Sequence, residues 1–147
     1  MATPSEVRVA PLADVPPTTL YDILRLRVDV FVVEQECAYP ELDGRDVEPE
    51  ARLLWVADEE GVAATARFLR DGDDARIGRV ATAARARGRG LAGVLIRSAV
   101  DLAGGRTIRL DAQAHLEGWY ASFGFAASGP QFLEDGIPHV PMIRAAA

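Results

Sequence analysis

The feature that most constrains this chain is residues 79–105. There an apolar run ending in Val80-Ala81-Thr82 gives way to Arg85-Ala86-Arg87-Gly88-Arg89-Gly90 and then to a helical repeat. Leu91, Val94, Leu95 and Leu102, with Val100 beside them, recur at helical spacing, and Gly104-Gly105 supplies the C-terminal stop. A strand, a basic glycine-spaced loop and a helix in that order build an anion cradle. Glycines let backbone N–H groups approach a ligand, and the helix N-terminus adds roughly half a positive charge. Arg85, Arg87 and Arg89 raise the local potential further.

The kind of phosphate ligand is narrowed by what surrounds the glycines. A P-loop needs Lys-Ser or Lys-Thr after them, and the chain contains no lysine. Gly88, Gly90 and Gly93 approach the dinucleotide spacing, but three arginines intrude and no βαβ unit with an acidic ribose ligand follows at the right distance. What matches is R-x-x-G-x-G/A, read as Arg87-Gly88-Arg89-Gly90-Leu91-Ala92, which resembles the acyl-CoA pyrophosphate loop of the GNAT superfamily of N-acetyltransferases. A second register, Arg85-x-x-Gly88-x-Gly90, also matches. The first is preferred because it leaves Leu91 to begin the apolar helix face.

A chain of 147 residues suits one domain, residues 1–147, with a core that needs neither disulfide nor metal. One cysteine, Cys37, and two histidines are too few soft ligands for a structural zinc site, so no metal is expected. No run is long and apolar enough to span a bilayer, and the first residues lack an export signal, so a cytoplasmic location with no membrane partner is expected. The net charge of −6 argues against nucleic acid as a partner. The charge is uneven, however. Residues 34–60 hold ten acids against two arginines, and residues 67–109 hold ten arginines against four acids. One region therefore suits a polyanion and the other a cationic amine.

Along the chain, 7–10 alternates as a strand, and Thr18 or Thr19 caps a helix running to about residue 33 with Leu20, Ile23, Leu24, Val28 and Phe31 on its apolar face. Residues 34–50 are polar and aperiodic, the character of a functional loop. Strand-like runs at 53–57, 62–69 and 75–82 are joined by short Gly-containing turns and read as antiparallel neighbours. After the central helix, a strand at 107–112 is reached by a helical crossover and should lie parallel to the one before it. A short helix at 116–123 stops at Gly124, and a last strand covers 140–144.

This order, β-α-β-β-β-α-β-α-β with a CoA-type loop after the fourth strand, resembles the GNAT fold. The resemblance implies an α/β (α+β) architecture: a mixed, mostly antiparallel sheet of six to seven strands with helices on both faces. Gln113-Ala114-His115-Leu116-Glu117-Gly118-Trp119-Tyr120-Ala121-Ser122-Phe123-Gly124-Phe125 is similar to the GNAT pattern of Asn, a Tyr seven residues later, and Gly-Phe, with Gln113 in the Asn position. Within the superfamily the chain resembles the ElaA family, through residues 26–37, 39–46 and 134–139.

The resemblance implies transfer of an acetyl group from acetyl-CoA to a primary amine by direct attack in a ternary complex. It assigns Val80, Ala81 and Thr82 to the cofactor through their backbone, Arg87, Gly88, Arg89, Gly90, Leu91 and Ala92 to the pyrophosphate, and Gln113 to the cofactor as well. Tyr120 takes the position of the acid that protonates the departing thiolate; a phenol near pKa 10 and a thiol near 8.5 make that transfer reasonable. For the base, Glu34 at the end of the first helix is preferred, and His115 is second, with Glu41 and His139 also in reach. Arg27, Tyr39, Glu41, Asp43 and His139 are expected around the acceptor, a small-molecule or peptide amine, and the acidic loop favours a cationic one. A homodimer is an open expectation. Cys37 lies among Glu34, Glu36 and Glu41 and has no basic neighbour to lower its pKa, which excludes it as a nucleophile. Two other readings remain: a non-catalytic acyl-CoA-binding domain, and an acyl-homoserine-lactone synthase-like acyltransferase, to which the Arg27–Asp46 stretch bears a faint likeness.

Overall fold

A computed structural model describes residues 6–147, to which every structural statement refers. The elements are β1 (Arg8–Ala10), α1 (Pro17–Val28), a π-helical segment (Asp29–Glu34), β2 (Arg52–Asp58), β3 (Gly61–Asp71), β4 (Asp74–Thr82), α2 (Leu91–Ala103), β5 (Ile108–Gln113), α3 (Glu117–Ala121), β6 (Ala126–Ala127), β7 (Phe132–Glu134) and β8 (Ile137–Arg144). They form one sheet of eight strands in the order β1-β2-β3-β4-β5-β8-β6, with β7 pairing β8. Only β4 and β5 are parallel.

The strand count exceeds the expected six to seven because the region after Gly124 holds two short extra strands, β6 and β7. β7 and β8 are joined by Asp135-Gly136, both at positive φ (51° and 79°), the backbone of a two-residue hairpin turn.

Strand alternation places helices on both faces. Leu53 and Trp55 of β2 pack with Ile23 and Leu26 of α1, whereas Leu54 and Val56 pack with Leu91, Leu95 and Ile96 of α2. β3, covered on both faces, is buried along most of its length. The buried stripe of α2 is Leu91, Leu95, Ile96, Ala99 and Ala103; Leu102, expected inside, lies at the stripe's edge in the last turn and is 37% exposed. α1 begins earlier than a threonine cap would put it, with Pro17 in the first turn, where the missing N–H has no helical partner to lose. Helical backbone continues to Glu34, as expected, but the last stretch widens into the π form, a feature frequent at functional sites. Among the described residues no helix is long and apolar enough to cross a membrane.

Candidate active site

β4 and β5 pair only at Ala75↔Ile108 and Arg76↔Arg109, and then diverge. Beyond the last of these pairs β4 bulges: the register with β3 passes from Arg67↔Gly78 to Thr65↔Ala81, so Arg79 and Val80 together face Ala66. Arg79 adopts φ +52°, the left-handed region that a non-glycine residue enters only when its surroundings hold it there. Between the separated strands opens a cleft of about 1450 Å³, lined by β4 from Ile77 to Thr82 and by Leu110, Asp111 and Gln113 of β5.

At one end of the cleft lies the Arg/Gly loop. Gly88 and Gly90 stand at φ +82° and +73°, and open space lies where a side chain would begin at either. This backbone turn delivers the N-terminus of α2 to the cleft with no side chain capping it, so its first N–H groups are free to meet an anion. An acyl-CoA pyrophosphate suits such a cradle. The arginines around it behave differently from one another. Arg87 lines the cleft and grips Glu34 through both guanidinium nitrogens, at 2.7 and 2.5 Å. Arg85 and Arg89 turn away to share Asp58, at 2.7 and 3.1 Å, because the β2–β3 turn presents that carboxylate beside them. Hydrogen bonding to Arg85, aided by the Glu60 N–H and Arg89, holds Asp58 down at about 2. Arg89, expected on the pyrophosphate, does not line the cleft.

The opposite end rests on a network of ion pairs. Arg27, 1% exposed, donates from Nε to Glu41 at 2.6 Å and through both terminal nitrogens to Asp46, at 2.7 and 3.2 Å. Burial alone would lower the Arg27 pKa; the hydrogen bond to Asp46 and the charges of Glu41 and Asp46 outweigh it and raise it. Arg67 grips Asp43 through two nitrogens, at 2.8 and 3.0 Å. Partial burial pushes Asp43 up, but the Arg67 and Arg45 hydrogen bonds and the nearby arginine charges prevail and hold it at about 2. Arg79 Nε lies 2.8 Å from Glu41 Oε1, an ion contact without hydrogen-bond alignment, and its terminal nitrogen donates to the Glu41 carbonyl at 3.2 Å. Its guanidinium also covers the Tyr39 ring at 5.4 Å. The polar loop before β2 is thus fastened to the β4 bulge, and the strained Arg79 is the fastening point.

Tyr120 lines the cleft and is 7% exposed. Burial alone pushes its hydroxyl up to about 12, so it stays protonated at neutral pH. Edge-to-face contacts with Trp119 and Phe125 fix the ring. Across the cleft, His139 pairs in register with Gln113 and stacks on Phe132. Its Nδ1 is 2.7 Å from the Ile137 carbonyl, which can only accept, so Nδ1 donates there, and the neutral ring has its lone pair at Nε2. Glu134 Oε2 stands 3.8 Å from that Nε2.

The residues expected from the sequence therefore separate into groups. Val80, Ala81, Thr82, Arg87, Gly88, Gly90, Leu91, Ala92, Gln113, His115, Tyr120, Tyr39, Asp43 and His139 come together on one cleft. Arg27 and Glu41, expected to touch the acceptor, are buried beneath it and offer it no surface. Glu34, expected as the base, carries a lowered pKa, first through its hydrogen bond with Arg87. Arg67 and Arg79 were not singled out by sequence reasoning. An arginine interrupting the apolar run 62–69 was the available signal, since a strand buried on both faces accepts a charge only with a partner.

A parallel pair splayed by a bulge, with an uncapped helix N-terminus at one end and a buried phenol within, defines an acyl-CoA-type transferase architecture. Residues 25–145 match the Acetyltransferase (GNAT) domain family. The UPF0039 protein Rv2851c of Mycobacterium tuberculosis is 47% identical over 136 residues, covering 89% of this chain and 87% of that protein. Among solved structures, an acyl-CoA N-acyltransferase from Pseudomonas aeruginosa superposes with a TM-score of 0.91 at 36% identity, covering 96% of this chain and 99% of that one. Escherichia coli ElaA gives a TM-score of 0.88 at 33% identity over 95% and 99% of the two chains. The chain belongs to the GNAT acyltransferases and, within them, to the ElaA family.

Proposed function

We propose that this protein is an acetyl-CoA-dependent N-acetyltransferase that passes an acetyl group to a primary amine within a ternary complex. The observation that carries the reading is the single cleft joining the uncapped N-terminus of α2 to the buried Tyr120 hydroxyl. In this reading the loop from Arg87 to Ala92 holds the pyrophosphate. The unpaired edge of β4 beyond Arg76 offers backbone N–H and C=O groups to the amide-bearing arm and polarises the thioester carbonyl. During transfer a C–N bond forms, the C–S bond breaks, one proton leaves nitrogen and one reaches sulfur.

Tyr120 supplies a hydrogen bond to the departing sulfur. With its pKa raised to about 12 it holds its proton more tightly than a thiol near 8.5, so its donation stabilises the developing charge more than it completes a transfer. For the amine proton we favour His139 over Glu34: in the neutral ring the Ile137 contact takes up Nδ1 and leaves Nε2 as the acceptor, whereas Glu34 is engaged by Arg87. Asp111, Glu134 and Asp135 on the cleft wall support a cationic acceptor.

The reading is tested by incubating the protein with acetyl-CoA and a panel of polyamines, amino acids, aminoglycosides and peptide amines, and following free thiol and the acetylated product by mass. Equal release of thiol and amide with at least one amine is expected. Acetyl-CoA binding without amide formation across the panel supports the non-catalytic acyl-CoA-binding reading, and a product that carries a lactone ring together with the new amide supports the synthase-like one.

A further inference from the structure

Six arginines line the cleft: Arg45, Arg67, Arg76, Arg79, Arg87 and Arg97. Five are held by carboxylates: Arg45 by Glu48 and Asp71, Arg67 by Asp43, Arg76 by Asp71, Arg79 by Glu41, and Arg87 by Glu34. Among the described residues Arg97 makes no ion pair. Asp101, one helical turn further along α2, does not engage it. Instead its guanidinium lies over the Phe123 ring, 5.6 Å from the centroid.

Its position is as informative as its freedom. Gly93 and Arg97 are one turn apart on the side of α2 that faces Phe123, the residue following α3 and Ser122. A side chain begun at Gly93 would meet Phe123 at 3.4 Å and an Arg97 nitrogen at 3.9 Å. Gly93 is buried and lets Phe123 close against α2, while Arg97 stays exposed on the cleft, about 9 Å along the helix from Leu91 by its rise per residue. The cleft thus has a second cationic station outside the pyrophosphate loop. The carboxylates that line the cleft, Asp43, Asp71, Asp111, Glu134 and Asp135, belong to the loop before β2, β3 and its turn, β5, and the β7–β8 hairpin.

We infer that Arg97, backed by Phe123, is the recognition site for the ribose 3′-phosphate of the acyl-CoA nucleotide, so that this protein discriminates CoA thioesters from their 3′-dephospho forms. This rests on the acyl-transfer reading above. A phosphomonoester carries more negative charge than either phosphate of the bridging pyrophosphate, and a guanidinium offers it a planar fork of donors. Stacking on Phe123 holds that fork without an acid that would have to be displaced.

The test compares equilibrium binding of acetyl-CoA and acetyl-3′-dephospho-CoA to the unaltered protein, Arg97→Gln and Arg97→Lys. The unaltered protein is expected to prefer acetyl-CoA by about tenfold, the scale of one charge-assisted hydrogen bond. In Arg97→Gln the preference should vanish, because acetyl-CoA weakens to the level of the dephospho form while the dephospho form is unchanged. Arg97→Lys should retain part of it. Equal binding of the two thioesters by the unaltered protein overturns the inference, as does an equal weakening of both by Arg97→Gln. If the unaltered protein binds neither thioester, the acyl-transfer reading falls, and this assignment with it.

Discussion

Tyr120→Phe is expected to lower turnover with acetyl-CoA by about 10²-fold, the lower part of the range for a lost proton donor at a reacting centre. Acetyl-CoA binding should stay within about twofold, because the hydroxyl acts on charge that develops only as the C–S bond breaks. Stability should also hold, to within about 0.5 kcal/mol, since Phe keeps the edge-to-face contacts with Trp119 and Phe125 and burial is the only influence on the phenol. Steady-state kinetics, with binding measured separately by calorimetry, separates the two effects. A matching loss of binding would mean that Tyr120 shapes the cleft rather than assisting the leaving group.

Arg27→Ala is expected to be the most destabilising single change in the structure. It removes the buried cation that bridges Glu41 and Asp46, leaving Glu41 with Arg79 and the Tyr39 hydroxyl and Asp46 with only a 3.6 Å contact to Arg67; breaking a buried pair in this way typically costs roughly 3–5 kcal/mol. Against a total stability of about 5–15 kcal/mol for a domain, that is a large fraction. At about 2–4 °C per kcal/mol for a chain of this size, Tm should fall by roughly 10 °C. Arg27→Lys should recover only part of this, because an ammonium cannot satisfy Asp46 through two nitrogens and Glu41 through a third at once. Thermal unfolding followed by circular dichroism reads both. A fall of less than about 2 °C for Arg27→Ala would mean that the network does not hold the loop as described.

The second prediction also marks where sequence reasoning stopped. The loop from Arg87 to Ala92, the helix behind it and the parallel crossover to β5 were legible because each rests on local signals: glycines before an apolar helical repeat, and a helix between two strands. The support beneath the acceptor end was not. Arg27 looks from its sequence neighbours like one of several charges on an amphipathic helix; only the folding back of Glu41 and Asp46, fourteen and nineteen residues on, makes it interior. Arg79 was hidden for a related reason, since nothing in a run of strand residues announces a bulge at positive φ. The Asp135-Gly136 turn was legible in principle, as Asp-Gly between strand-like residues is a strong hairpin signal, yet the extra strands β6 and β7 were too short to carry a pattern of their own. Arg89 shows the converse case. The motif placed it on the phosphate, and a carboxylate from a distant turn, Asp58, claims it instead.

The most direct test of the central claim is a calorimetric titration of the protein with acetyl-CoA. Saturable binding at one site is expected, with a dissociation constant inside the roughly 1 μM–1 mM range usual for enzyme substrates, and weakened by Arg87→Ala. Absence of saturable binding up to about 1 mM would contradict the assignment of the β4–β5 cleft as an acyl-CoA site.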